Sequence, residues 1–249
     1  MWWRTGVLIM HRCVVNAVYS CKKISIIIPV LNEESALRAH LPVLQDFRHA
    51  GHEVIVVDGG SCDESVSIAS ALVDQVLASS PGRGVQMNAG AVQATGAVLL
   101  FLHIDTLLPD HADRLVTESL AHLDRVWGRF DLSLSGRNPA FRLIERMINL
   151  RSRYTGMATG DQGIFVLSSV FEQAGAYPEI PLMEDLALSR ELKKFSRPVC
   201  LRQQVISSSR RWEQHGIVRT IVLMWILRLQ FFLGVSPQVL YRRYYKKRG

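Results

Sequence analysis

The 249-residue sequence predicts an α/β protein in which helices flank a mostly parallel central sheet. Short apolar runs rich in β-branched residues alternate with helical segments four times within about 80 residues. This alternation is typical of parallel strands joined by right-handed crossovers. The composition agrees, because 48% of the residues are hydrophobic and 20% are charged. That balance supplies one large core and excludes global disorder.

The first part of the organised chain supplies the predicted parallel strands. Ile24–Val30 is a β-branched run that predicts a buried strand, and Asn32 is the predicted N-cap of a helix over residues 33–47. Residues 52–57 and 74–78 predict the next two strands, separated by a second helix. A polar loop therefore follows each of the first two strands.

The most informative stretch is residues 98–109, with the sequence VLLFLHIDTLLP. An apolar run bounded by a polar turn predicts a strand buried on both faces. Asp105 would then lie at the carboxyl end of this strand, which is the edge where open α/β sheets bind ligands. A carboxylate there is well placed to hold a divalent cation against a phosphate. The alternative is an aspartate that only caps the next loop or helix.

Two glycine-containing loops follow strands or precede helices. Gly59 and Gly60 come directly after Asp58, and Arg83 lies between Gly82 and Gly84. These loops either admit a ligand close to the backbone or are ordinary turns. The sequence has neither a Walker lysine motif nor GxGxxG after the first strand, which removes the P-loop and ordinary dinucleotide folds as first choices.

The second half of the chain predicts further strands and an amphipathic helix. Trp127–Leu134 alternates like a strand, residues 141–153 have helical spacing, and a polar turn at residues 160–163 precedes the strand Ile164–Leu167. The wetter side of the helix is predicted to carry Arg142, Glu145, Arg146 and Arg151.

Residues 216–249 predict a C-terminal amphipathic, apolar helical extension with a basic end. About 20 apolar residues are interrupted by Arg219 and Arg228, which argues against a simple spanning helix. A helix lying on an anionic membrane surface, or packed on the α/β domain beside its ligand-binding edge, explains both the apolar content and the basic end at residues 241–248. An ordinary core helix is the alternative.

Five motifs, taken in order, carry a resemblance to a known family. They are IIIPVLNEE, VVDGGSCDES, GRGVQMNAGAVQATG, LLFLHIDTLLP and MEDLALSREL, within roughly residues 24–215. This series resembles the inverting family 2 glycosyltransferases, which have the GT-A fold, a Rossmann-like sheet flanked by helices. The form with HID in place of DxD, and with GDQG later, is similar to a short bacterial subgroup associated with arsenosugar biosynthesis.

The resemblance implies metal-dependent, inverting transfer of a sugar from a nucleoside-diphosphate sugar to an acceptor hydroxyl of a small molecule or lipid. It also implies which residues bind the nucleotide: Pro29, Glu33, Asp58, Arg83, Asn88 and His103. Asp105 matches the last aspartate of the metal-binding DxD motif, with Mg²⁺ or Mn²⁺ as the cofactor. His103 departs from the family pattern, and imidazole suits manganese better than magnesium. His215 is a candidate further metal ligand, or an ordinary surface histidine.

The same resemblance assigns the acceptor side. Gly160, Asp161 and Gln162 match a region that contacts the sugar and the acceptor, although Asp161 is also a common turn residue. Glu184 and Asp185 match the family's ED motif, in which Glu184 is a substrate-side residue and Asp185 the general base. Acids that merely favour a helix N-terminus are the alternative. Ser208 replaces the glutamine that processive polysaccharide synthases carry before Arg211 and Trp212, which makes polymer synthesis less favoured.

We therefore expect three segments: a poorly defined N-terminal extension at 1–22, a catalytic domain at 23–215 and the C-terminal helix and tail at 216–249. The alternatives are a nucleotidyltransferase-like enzyme and a non-catalytic nucleotide-sugar-binding protein. No aromatic stacking platform accompanies the basic tail, so no nucleic-acid partner is expected. The cysteines lack paired spacing, which predicts free thiols in the cytoplasm, with the protein there or peripheral on the inner face of the cell membrane. They are Cys13, Cys21, Cys62 and Cys200.

Overall fold

The computed structural model describes residues 22–122 and 124–245, apart from the side chains of Arg211 and His215, so the predicted extension at 1–22 lies almost wholly outside the described residues. The strands are β1 (Ile24–Val30), β2 (Glu53–Asp58), β3 (Gln75–Ala78), β4 (Val98–Phe101), β5 (Thr106–Leu107), β6 (Trp127–Leu134), β7 (Ile164–Leu167) and β8 (Val199–Ser207). The helices are α1 (Glu34–His40), α2 (Gln45–His49), α3 (Ser65–Ser70), α4 (Arg83–Gln93), α5 (Ala112–Ser119), α6 (Pro139–Thr155), α7 (Ser168–Gln173), α8 (Glu184–Leu192), α9 (Arg210–His215), α10 (Ile217–Phe232) and α11 (Pro237–Tyr245). Two 3₁₀ turns lie at Leu41–Leu44 and Gly160–Gln162.

The described strands form one sheet in the order β3-β2-β1-β4-β7-β6-β8-β5. The first four strands are mutually parallel, as are β6 and β8, whereas β7 runs antiparallel to both β4 and β6. β5 is antiparallel to β8. The predicted α/β class with a mostly parallel sheet is confirmed, and so is the C-terminal helical extension, which forms α10 and α11.

The first predicted helix is broken into three pieces. α1 ends at His40, a 3₁₀ turn follows, and α2 begins at Gln45. Pro42 lies in the turn and has no N–H to donate, which explains the break. The predicted N-cap role of Asn32 is wrong, because Asn32 has φ +54° and its Oδ1 accepts a hydrogen bond from the backbone N–H of Cys62 at 2.8 Å.

The stretch at residues 98–109 is two strands rather than one. β4 stops at Phe101, the Thr106 N–H donates to the His103 carbonyl at 3.0 Å, and β5 then pairs with β8. Asp105 consequently lies in the turn between β4 and β5. β8 itself was not predicted, because only two of its nine residues are buried and its sequence shows no apolar alternation.

Side chains of the long helix α6 form hydrogen bonds with the part of β6 that β7 does not reach. Among the described strands, β7 pairs with β6 only at Trp127 and Gly128. Further along, the side chain of Asn149 exchanges two hydrogen bonds with the backbone of Leu132, at 2.8 and 3.0 Å. The Leu134 N–H donates to Glu145 Oε1 at 2.6 Å. The predicted solvent-exposed position of Glu145 is therefore wrong, since its carboxylate is buried against β6.

The C-terminal helices pack over the start of α8. Leu227 of α10 and Leu240 of α11 are fully buried in a cluster with Met157, Met183 and Leu186. This packing brings the extension next to the paired acids that open α8. Within the described residues, no helix is both long and apolar enough to cross a membrane.

Candidate active site

The predicted site residues converge at the carboxyl edge of the parallel strands. The contributing elements are the loops after β1, β2 and β4, the starts of α4 and α8, and the 3₁₀ turn at Gly160–Gln162. Arg83 lies centrally, because its charge acts on Glu33, His103, Asp105 and Glu184. Parallel strands place these segments together although they are far apart in sequence.

The loops after β1 and β2 are tied to each other by side chains. The Asp58 carboxylate is buried and accepts hydrogen bonds from the backbone N–H groups of Gly60 at 2.9 Å and Ser61 at 3.0 Å. The Asn32 N–H donates to Ser61 Oγ at 2.8 Å. Pro29, half-buried beside this loop, pairs with Val57 in the sheet. These bonds fix a rigid wall on one side of the cleft.

The start of α4 is anchored to both neighbouring strands. Gln86 Nε2 donates to the carbonyl oxygens of Val30 and Val57, each at 2.8 Å. Asn88, a predicted nucleotide contact, exchanges hydrogen bonds with the backbone of Tyr177 at 2.8 and 3.0 Å. Its amide therefore positions the segment that precedes α8. Gly84 is required here, since a Cβ would lie 2.8 Å from the Pro178 carbonyl oxygen.

Two arginines face the acids of the cleft from different segments. Partial desolvation by its neighbours lowers the pKa of Arg83, but the carboxylate of Glu184 and the tyrosines of α11 outweigh this and raise it. Arg210 Nη2 lies 4.0 Å from Glu33 Oε2, and its charge also reaches Asp105. Burial raises the pKa of Glu33, and Arg210 opposes that shift. The sequence analysis did not select Arg210; its signal was the arginine pair just before Trp212.

Asp105 lies among both cations and acids. Burial raises the pKa of its carboxyl, Arg83 opposes the shift, and the nearby Asp161 adds to it. Within the described residues, Asp161 Oδ1 and His103 Nε2 are buried without a hydrogen-bond partner. Burial, with Arg83, lowers the pKa of His103 to about 3, so this imidazole is neutral and one of its two ring nitrogens is an acceptor. Gly160 lies against it, since a Cβ there would be 2.8 Å from His103 Nε2.

These residues fit a divalent cation that takes some ligands from its substrate. The described residues contain no cluster of three or more His, Cys, Asp or Glu side chains with metal-binding spacing. Magnesium, however, is commonly held by one or two carboxylates together with phosphate oxygens and water. Asp105, with the unpartnered Asp161 oxygen nearby, supplies that number of carboxylates. The predicted metal ligand His215 lies outside the described side chains.

The acid pair at the start of α8 is the most constrained part of the site. Asp185 Oδ2 accepts the Gly160 N–H at 2.9 Å, and Oδ1 accepts the Leu186 N–H at 2.7 Å. Burial raises the pKa of Asp185 although these two bonds and Arg228 oppose the shift. Burial, and then the Asp185 charge, raise the pKa of Glu184 to about 7, against the effect of Arg83. Asp185 is thus an oriented carboxylate of increased basicity.

Gln162 is bonded within the protein, and its contact with the substrate stays a prediction. Its side chain is fully buried, and its Oε1 accepts the Thr159 N–H at 3.1 Å in a capping box. The residue therefore shapes the 3₁₀ turn that presents Gly160 and Asp161. Of the predicted acceptor-side residues, the structure brings Gly160, Asp161, Glu184 and Asp185 together, with Gln162 beneath them.

Fold and site together define an α/β protein with a carboxylate-lined cleft at the edge of parallel strands. The model of the family described as "Glycosyl transferase family 2" matches residues 25–172, more than half of the chain. The chain belongs to this family, as the motif series predicted. Its assignment to the arsenosugar-associated subgroup stays a prediction.

Curated relatives match over part of their length. An undecaprenyl-phosphate 4-deoxy-4-formamido-L-arabinose transferase of Pseudomonas fluorescens is 31% identical over 160 residues, which cover 58% of this chain and 46% of that protein. An uncharacterized glycosyltransferase of Nostoc is 27% identical over 184 residues, which cover 71% of this chain and 54% of that protein. The chain thus spans about half the length of these relatives.

Solved structures share the fold at low identity. S. aureus TarS 1–349 in complex with UDP-GlcNAc has a TM-score of 0.62 and 19% identity, covering 75% of this chain and 58% of that one. Mannosyltransferase PcManGT from Pyrobaculum calidifontis, in complex with GDP-Man and Mn²⁺, has a TM-score of 0.58 and 18% identity, covering 75% and 56%. These likenesses confirm the predicted GT-A fold.

Proposed function

We propose that the protein transfers a glycosyl group from a nucleoside-diphosphate sugar to an acceptor hydroxyl, with inversion at the anomeric carbon. The observation that carries this proposal is the geometry of Asp185. Its carboxylate is held by two backbone N–H groups and is electrostatically coupled to Asp161, which is coupled in turn to Asp105. A base for the acceptor and carboxylates for a diphosphate-bound cation therefore lie in one cleft.

The donor nucleotide would bind along the wall formed by the loops after β1 and β2. Asp58 is already oriented there, and Pro29 and Glu33 lie beside it. Arg83 and Arg210 bring positive charge to the acids of this cleft, where a diphosphate needs compensation. Two solved relatives of this fold are complexes with UDP-GlcNAc and with GDP-Man and Mn²⁺, which supports a nucleotide-sugar donor and a divalent cation here too.

Asp105 and Asp161 would hold the cation, with His103 Nε2 as a further nitrogen donor toward manganese. When bound, Mg²⁺ or Mn²⁺ offsets the negative charge of the diphosphate leaving group. Asp185 accepts the proton of the acceptor hydroxyl as that oxygen bonds to the anomeric carbon from the side opposite the diphosphate. A single displacement of this kind inverts the anomeric configuration. Burial raises the pKa of Asp185, and the charge of Asp161 adds to that shift, which increases the basicity of the proposed base.

Isothermal calorimetry against a panel of nucleoside diphosphates, with Mn²⁺, Mg²⁺ or EDTA, tests the donor half of this proposal. One nucleotide is expected to bind, and only with metal. Asp105→Ala is expected to weaken that binding by roughly 10- to 100-fold, the value of a lost charge-assisted contact. Asp110→Ala, an exposed acid further along the chain, is the matched control and should leave the affinity unchanged. Equal, metal-independent binding by wild type and Asp105→Ala would contradict the proposal.

The proposed setting is the inner face of the cytoplasmic membrane, with a small-molecule or lipid acceptor. Exposed apolar side chains on α10 include Val222, Trp225 and Phe232, at 50%, 57% and 57% exposure, and α11 adds Arg242 and Arg243. An apolar face beside a basic helix suits anionic lipid. Co-sedimentation with vesicles of phosphatidylglycerol, compared with phosphatidylcholine, measures this; equal pelleting with both would exclude an electrostatic contribution.

A further inference from the structure

A large apolar cavity lies between α6 and α10, beside the candidate active site. Its volume is about 1100 Å³, which is at the upper end for ligand pockets in proteins. Apolar side chains from both helices form most of its wall: Ile148, Leu150, Met224, Trp225, Leu229 and Phe232. Several of them are largely exposed, including Leu229 at 61% and Trp225 at 57%. The cavity is therefore open to a ligand with a long hydrocarbon chain.

One region of the cavity wall is polar and incompletely hydrogen-bonded. Arg151 of α6 and Arg228 of α10 both line it. Among the described residues, nothing accepts a hydrogen bond from the buried Arg151 Nε and Nη2 or from the buried Arg228 Nε. The two guanidinium groups lie close enough to repel each other, since Arg228 contributes to lowering the pKa of Arg151, after burial, to about 10. Arg151 therefore remains charged at neutral pH, and the two guanidinium groups together present donors that suit an anion.

The charge around the cavity favours an anionic ligand. Its wall includes four cations and one acid: Arg151, Arg190, Lys193, Arg228 and Asp161. The charge of Arg228 acts on Asp185, and the charges of Asp161 and Asp185 act on Arg151. The arginines are therefore within electrostatic range of the proposed general base. A ligand whose anionic group bonds to these arginines would reach the reacting centre while its apolar part stays in the cavity.

We propose that the acceptor is a lipid phosphate, with its hydrocarbon chain in the cavity between α6 and α10 and its phosphate on Arg151 and Arg228. Two guanidinium groups supply the fork-shaped donors that a phosphate accepts, and the apolar walls supply the binding energy for the chain. The inference rests on the proposed function, and it names the acceptor of that same site.

The transfer would then form a glycosyl phosphodiester. An oxygen of the lipid phosphate bonds to the anomeric carbon of the donor. The bond from that carbon to the nucleoside diphosphate breaks, and the diphosphate leaves with the bonding electron pair. The lipid phosphate reacts as its monoanion, and the proton of its remaining P–OH group passes to Asp185 as that oxygen bonds to the anomeric carbon.

The test is calorimetry of the full chain with decyl phosphate, decanol and inorganic phosphate, each below its aggregation concentration. Decyl phosphate is expected to bind at least about tenfold more tightly than either fragment, because it alone engages both parts of the site. Arg151→Gln and Arg228→Gln should each weaken decyl phosphate by about tenfold and leave decanol unchanged. Arg146→Gln on α6 and Arg219→Gln on α10, both exposed and away from the cavity, are the matched controls.

The apolar part of the site is tested by Leu229→Gln. This variant should weaken the binding of decyl phosphate but not that of inorganic phosphate, and Val218→Gln on the same helix is its control.

Circular dichroism of each variant checks folding, and Arg228→Gln decides the test if Arg151→Gln does not fold. Decyl phosphate binding no tighter than decanol, or insensitive to both arginines, overturns the proposal. If a nucleoside diphosphate binds with metal in the same preparation and decyl phosphate does not, this inference fails while the proposed function stands. If decyl phosphate binds and no nucleotide does, the proposed function fails, and the acceptor role fails with it.

Discussion

The two sides of the cleft differ in how completely their polar groups are hydrogen-bonded. Beside the loops after β1 and β2, the side chains of Asn32 and Gln86 are bonded to backbone groups of neighbouring segments, and that of Asp58 to backbone groups of its own loop. On the side formed by α6, α10 and the 3₁₀ turn, buried nitrogens of Arg151 and Arg228 and an oxygen of Asp161 are without partners among the described residues.

This difference is consistent with separate roles for the two sides of the cleft. A buried polar group without a partner costs free energy, so native folds keep few of them outside functional sites. On the side formed by the loops after β1 and β2, the polar side chains are already hydrogen-bonded within the protein. Such a side suits a pre-formed binding surface for a nucleotide. On the side formed by α6, α10 and the 3₁₀ turn, guanidinium nitrogens without hydrogen-bond partners lie beside exposed apolar side chains. This side suits an acceptor that has both an anionic group and a hydrocarbon chain.

The largest expected effect is on turnover, from Asp185→Asn. The amide cannot take a proton from the acceptor, so we expect the rate of nucleoside diphosphate release to fall by roughly 100- to 10,000-fold. Donor affinity should change little, because Asp185 lies on the incomplete wall. Steady-state rates and calorimetry on the same protein separate the two effects. Glu191→Gln, near the other end of α8, is the control, and a fully active Asp185→Asn protein would rule out its role as the base.

The next largest effect concerns the framework beneath the incomplete wall. Asp131 of β6 pairs with the fully buried Arg129 and with Arg153, whose Nη2 is 2.6 Å from Asp131 Oδ2. Asp131→Asn leaves a buried guanidinium without its counter-ion, and we expect the free energy of unfolding to fall by about 3 kcal/mol. Urea denaturation measures this change. Glu118→Gln breaks an exposed ion pair with Arg114 and should leave the midpoint nearly unchanged; equal losses in both variants would refute the distinction.

A smaller, pH-dependent effect is expected from Glu184→Gln. The pKa of Glu184 is raised to about 7 in the folded protein, so the fold favours its protonated form. Wild-type stability therefore falls as pH rises from the ordinary glutamate range through about 7, whereas a glutamine stays neutral. Relative to wild type, the variant should gain about 1 to 3 kcal/mol between pH 5 and pH 8.

Thermal unfolding at the two pH values measures that gain. Glu172→Gln, an exposed position on α7, is the control and should run parallel to wild type throughout. A variant that follows the wild-type pH dependence would show that Glu184 does not titrate as described. A gain confined to acidic pH would have the wrong sign and would contradict the argument directly.

Much of the sheet and the chemically active acids could be predicted from sequence. The β-branched run at Ile24–Val30 predicts its strand because a strand buried on both faces needs a continuous apolar sequence. Asp105 and Asp185 were identified by a family resemblance, since an isolated aspartate beside a loop or helix is chemically ambiguous. The family and the fold are now confirmed, whereas the roles of these two residues stay predictions that the geometry supports.

The parts that sequence missed depend on contacts between distant segments. Helical spacing predicted a solvent-exposed position for Glu145, but its carboxylate accepts a hydrogen bond from the backbone of β6. Arg151 and Arg228 become one site only because α6 and α10 lie on either side of one cavity. Arg210 faces Glu33 from the other end of the chain. Local periodicity reports none of these pairings, since it reads only neighbours in the chain.

The smallest expected effect tests whether the completed wall is rigid because of its side-chain ties. Asn32 has φ +54° and its Oδ1 accepts the Cys62 N–H at 2.8 Å. Asn32→Gly removes that bond and keeps the backbone conformation, so we expect a loss of about 1 kcal/mol. Asn32→Ala removes the same bond and adds left-handed strain, for a total of roughly 2 kcal/mol. Denaturant unfolding of the two variants separates the bond from the strain. Nucleotide affinity should fall in both, because either change loosens the loop that carries Asp58; unchanged affinity in both would show that the wall binds nucleotide without this tie.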